Sequence, residues 1–166
     1  MCIPEQYVAV SREVATALAE NGVLTTESAT AGVDRIAARM KALSERLRSG
    51  VKEAGLVGKP VAVAGHQKEF VEWLGLRAAV VFSGGELQSP SAMESVIERA
   101  REAQVVLVVG NLQEGRQSAD AVARAVGVPA VVFGNFPHLT AEESDFDSLV
   151  KNNVDALVSA AAAEKL

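Results

Sequence analysis

Cysteine is almost missing from these 166 residues: Cys2 stands alone, so no intramolecular disulfide can form and burial alone must hold the fold. Aromatic residues are only 4% of the chain, which leaves a core to be built from small aliphatic side chains, chiefly alanine and valine. No apolar run approaches membrane-spanning length, and no signal-peptide pattern is visible. A lipid-anchored terminus at Cys2 has no apolar targeting segment before it. Basic stripes are lacking too, and the formal charge of −5 argues against a nucleic-acid partner. The nearest approach to one, Arg35 to Lys52, is interleaved with Asp34 and Glu45 and reads as a solvated helix face. Gly-x-Gly-x-x-Gly is absent, as are the lysine-bearing phosphate loop and the Gly-x-Ser-x-Gly elbow. Gly110 to Gly115 follows an expected strand, but its spacing matches none of them. Terminal Cys2 has no histidine placed to activate it as a nucleophile.

What is present is globular: 49% hydrophobic and 22% charged residues, in a length that suits one well-buried domain with an appended helical segment. The chain divides at about residue 57 into two parts of different periodicity. Residues 1–57 carry no strand signal. Pro4 suits the first turn of a helix with Tyr7, Val8, Val14, Ala15 and Leu18 on its apolar side, and Asn21-Gly22 ends it. Thr25 or Thr26 then caps a long second helix. Its stripe of Val33, Ile36, Met40, Leu43, Leu47 and Val51 repeats at three and four residues. A helix of about seven turns spans a domain or bridges two.

From residue 58 to 166 strand and helix alternate. Four short β-branched runs, Val61–Ala64, Ala78–Phe82, Val105–Val109 and Ala130–Phe133, suit strands covered on both faces. Helical segments fall at about 67–74, 90–102 and 116–126, and a closing helix runs from Asp145 to about Ala162. The expected fold is therefore α/β, a four-stranded parallel sheet flanked by helices and preceded by a long linker helix.

Open sheets of this kind bind ligands outside the carboxyl ends of their strands. His66 follows the first strand directly, and the only other histidine, His138, lies past the fourth. Imidazole is the commonest metal ligand among side chains, so His66 is a candidate ligand; a helix cap or a solvated loop residue is the plainer reading. Glu86 follows two glycines in what reads as an exposed loop. The carboxylates Glu142, Glu143, Asp145 and Asp147 after His138 suit a helix dipole better than a metal. Acid–base chemistry at this edge has His66, Glu69, Glu86, Glu114 and His138 to draw on, at no recognised spacing.

The order of features resembles one family. Ile3-Pro4-Glu5-Gln6, the long helix over 26–55, Gly65-His66 through Leu74-Gly75-Leu76 and Glu86-Leu87-Gln88-Ser89-Pro90-Ser91 fall in its sequence. So do Val105 to Phe133 and the closing Phe146…Leu157. Together they look like the C-terminal lobe, with linker helix, of the metal-binding solute-binding proteins of bacterial ABC importers, the zinc/manganese/iron cluster. The resemblance implies a binding protein rather than an enzyme, located outside the cytoplasm in the periplasm or anchored to the membrane. It would hold a divalent transition metal (zinc, manganese or iron) between two lobes and deliver it to a membrane permease. It makes His66 a metal ligand, with Glu86 and His138 as further candidates and Asn111 and Asn135 lining the cleft. The first lobe, with its two usual histidine ligands, has no counterpart in these residues. Gly134-Asn135 stands where a carboxylate is usual, and Asn111 where a glutamate is common. Metal binding by this lobe alone is then weak or absent, and its exposed linker-helix stripe favours self-association. Two alternatives stay open: a degenerate binding protein for a non-metal ligand, and a small flavodoxin-like enzyme using His66 and Glu114.

Overall fold

The computed structural model describes residues 3–83, 89–137 and 145–164. Glu86 and His138 lie outside them.

Two helices open the chain. Helix α1 (Pro4–Glu20) begins on a proline, whose fixed φ and missing N–H suit the first turn. Helix α2 (Thr26–Glu53) is capped by Thr25, whose hydroxyl accepts from the Ser28 N–H at 3.1 Å. Strands β1 (Pro60–Ala64), β2 (Arg77–Phe82), β3 (Leu107–Asn111) and β4 (Ala130–Phe133) alternate with helices α3 (Lys68–Trp73), α4 (Pro90–Glu102) and α5 (Gln117–Val126). Helix α6 (Phe146–Glu164) closes the chain.

The strands form one parallel sheet in the order β2-β1-β3-β4. Period-two alternation along each strand divides its side chains between two apolar layers. Val61, Val63, Leu107, Val109, Val131 and Phe133 face a layer with the stripes of α2 and α6, with Phe70 and Val71 of α3, and with Leu74 just after it. Ala62, Ala64, Val80, Phe82 and Val108 face the other layer, against Val96 and Ala100 of α4 and Ala119, Val122 and Ala123 of α5. Gly110 lets α5 close onto β3: a Cβ there would stand 2.7 Å from that of Ala119.

Two expectations need correction. The stripe of α2 is not exposed, because Met40, Leu43, Leu47 and Val51 are all buried in the same layer as the sheet. Exposed large apolar side chains lie instead on α1 and the turn after it, at Tyr7, Val10, Val14, Val23 and Leu24, and singly at Val57, Leu112 and Phe136. Strand β3 also starts two residues later than its valine run suggests. Gln104, at φ +50°, ends α4 in a left-handed turn in which the Val105 N–H donates to the Ala100 carbonyl and the Gln104 N–H to that of Arg101. This pairing is the Schellman closure of a helix, with Val105 as its apolar plug. The shift carries Asn111 into the last position of the strand.

Candidate functional site

In this strand order the chain leaves β1 toward β2 on one side and returns to β3 on the other. The carboxyl ends of β1 and β3 therefore flank the switch point, where α/β sheets of this type open a crevice. After β1 the chain makes a single 3₁₀ turn, Gly65–Gln67, before α3. After β3 it makes another, Leu112–Glu114, and Gly115 at φ +85° redirects it into α5. After β4 it passes through Gly134-Asn135.

These three ends are tied together by amides. Asn111 is 2% exposed and works in both directions. Its Nδ2 donates to Glu114 Oε1 at 3.2 Å, and its Oδ1 accepts from Asn135 Nδ2 at 3.0 Å and from the Gln113 N–H at 3.4 Å. Gln67, 1% exposed, donates through Nε2 to Asn135 Oδ1 at 2.6 Å. The Asn135 N–H in turn donates to Gln113 Oε1 at 3.2 Å. Buried amides must be paired in this way, because an unmet donor or acceptor costs about 1–3 kcal/mol. Beneath the network, Asn153 on α6 takes both groups of Gly134, accepting from its N–H and donating to its carbonyl, each at 3.0 Å.

His66 and Glu114 meet at the rim. Their Nε2 and Oε1 atoms are 3.4 Å apart, with the imidazole 74% and the carboxylate 23% exposed. Of the residues expected at this edge, His66, Asn111, Asn135 and Glu114 come together here. Glu69 does not: it faces α1, where Gln6 Nε2 reaches its carboxylate at 3.5 Å. Gln67, Gln113 and Asn153 had drawn no attention in the sequence. The one signal for the first two is an amide recurring beside three of the four strand ends, those of β1, β3 and β4. Among the described residues no three His, Cys, Asp or Glu side chains gather to hold a metal ion. No helix there is long and apolar enough to cross a membrane.

No curated protein sequence matches the chain. Its fold is similar to that of several solved proteins. One is ZnuA, at TM-score 0.74 and 18% identity over 96% of this chain and 60% of that one. A second is the Cd-bound periplasmic metal binding protein from Candidatus Liberibacter asiaticus, at TM-score 0.77 and 12% identity over 95% and 61%. A third is the laminin binding protein (Lmb) of Streptococcus agalactiae, described as bifunctional with adhesin and metal transporting activity, at 0.74 and 13% over 96% and 63%. The chain thus spans about three-fifths of the length of these neighbours. The family model "Zinc-uptake complex component A periplasmic" (ZnuA) matches residues 3–160, and it describes an uptake component rather than an enzyme. The chain belongs to the ZnuA family.

Proposed function

We propose that this chain acts as one lobe of an extracytoplasmic solute-binding protein of an ABC importer, with a divalent transition metal as cargo. The carrying observation is the position of His66: it follows β1 at the switch point of the sheet and keeps most of its imidazole exposed. Neutral imidazole ligates zinc, manganese and nickel alike, so the residue type does not choose the metal. Family membership supports the reading, as do neighbours described with cadmium, manganese and Ni2+ bound. Capture would bring a second set of ligands against this rim, and the closed form would dock on a membrane permease. Self-association of the chain would run through the apolar side of α1, where Tyr7, Val10 and Val14 lie in solvent.

A non-metal ligand is the competing reading, favoured by three amides at strand ends. Against it, Asn111 and Asn135 bond to each other, and Gln67 donates to Asn135, within the rim. Calorimetric titration of the chain and of His66→Ala with zinc and with manganese tests the metal reading. Binding in the parent that disappears in the variant is expected. Equal binding by both proteins would remove His66 from the site.

A further inference from the structure

We infer that Glu114 is the second ligand this lobe gives to a metal ion, in partnership with His66; this rests on the reading of a metal as cargo. The separation of the two groups carries the inference. A charge-assisted N–H···O bond runs at about 2.7–2.9 Å, and the His66 Nε2 to Glu114 Oε1 distance of 3.4 Å is well outside that range. Two ligands sharing one tetrahedral zinc, at about 2.0–2.1 Å for nitrogen and 2.0–2.2 Å for oxygen, stand about 3.3–3.5 Å from each other. The pair therefore has the spacing of neighbouring ligands on a single ion.

The local chain explains why Glu114 reaches this place. Asn111 precedes the 3₁₀ turn that ends at Glu114. Its side chain caps that turn through the Gln113 N–H and reaches the Glu114 carboxylate, so the two side chains lie side by side. Asn111 Nδ2 donates to the same Oε1 that faces His66. Hydrogen bonds of this kind to a ligating carboxylate fix its orientation in metal sites. Asn111 is held by Asn135 and by the Gln113 N–H, so the aim of Glu114 is fixed before any ion arrives. Glu114 also supplies a negative charge, which the neutral amides around it do not.

Two protein ligands make a weak site, so the test reads each residue separately. Zinc is titrated to millimolar concentration into the full chain. NMR follows the ring nitrogens of His66 and the side-chain carboxylate carbon of Glu114, with Glu114→Gln and His66→Ala as variants. Both residues are expected to shift along one saturation curve. Glu114→Gln, which keeps the shape and loses the charge, is expected to weaken zinc binding at His66 by about tenfold or more, since even partners outside the coordination sphere cost that much. A shift at His66 with none at Glu114, and an unchanged curve in Glu114→Gln, would overturn the role of Glu114 and leave the metal reading standing. No shift at either residue would overturn both.

Discussion

Asn153 and Gly134 are joined by a reciprocal pair of hydrogen bonds, in which one side-chain amide meets both backbone groups of a residue 19 positions away. Gly134 also packs against Leu149, which a Cβ at Gly134 would approach to 3.2 Å. The last strand is thus locked to α6 just before Asn135 joins the rim. Asn153→Asp keeps the acceptor and deletes the donor, leaving the Gly134 carbonyl facing a buried carboxylate. The expected loss is about 1–3 kcal/mol in unfolding free energy, read as a lower urea midpoint at unchanged slope. An unchanged midpoint would mean that the clamp contributes nothing.

Gly110 meets α5 with no room for a side chain. Gly110→Ala puts a methyl 2.7 Å from the Ala119 Cβ, so the helix must move outward or the strand must bend. Overpacking of this kind costs about 1–3 kcal/mol. In an Ala119→Gly background most of that steric cost should vanish, because the two sites share one contact. Chemical denaturation of the four proteins of this cycle measures the coupling. Simple additivity would show that the contact is not the cause.

The Ser148 N–H donates to Asp145 Oδ1 at 2.8 Å, ahead of α6. That bond, with a second from the Ser148 hydroxyl, holds the Asp145 carboxyl below its ordinary range. Hydrogen bonds to the charged form lower a carboxyl's pKa. Since the folded value is the lower one, the stabilisation is present above the unfolded value and fades as pH falls through the folded one. Melting temperature should therefore drop more steeply below about pH 4 in the parent than in Asp145→Asn. Parallel curves for the two proteins would contradict this.

Most of the architecture could be read along the chain, because burial imposes a period. Val61 and Val63 against Ala62 and Ala64 alternate between the two layers, and the three- and four-residue spacing of α2 marks the side that packs on the sheet. The start of β3 is not legible, because Val105 is as apolar as a strand residue while serving to plug the end of α4. His66 was legible from its place after a strand. The amide network was not, since Gln67 and Asn135 are 68 positions apart and polar residues in loops carry no period. Glu114 is legible beside His66 as an acid–base candidate at this edge; that the two atoms stand 3.4 Å apart follows from the strand order, which the sequence does not print.

That network has a mechanical consequence. Its members come from three strand ends, those of β1, β3 and β4, and Asn135 after β4 bonds to residues at both of the others, so displacing any one loop strains a bond to another. Asn153 pins the third of them to α6 from below. The rim then behaves as a stiff plate rather than as three separate fingers, and none of these three loops can fold over a ligand by itself. A closing motion of these three loops has to carry the whole plate, with the sheet beneath it, toward whatever stands opposite.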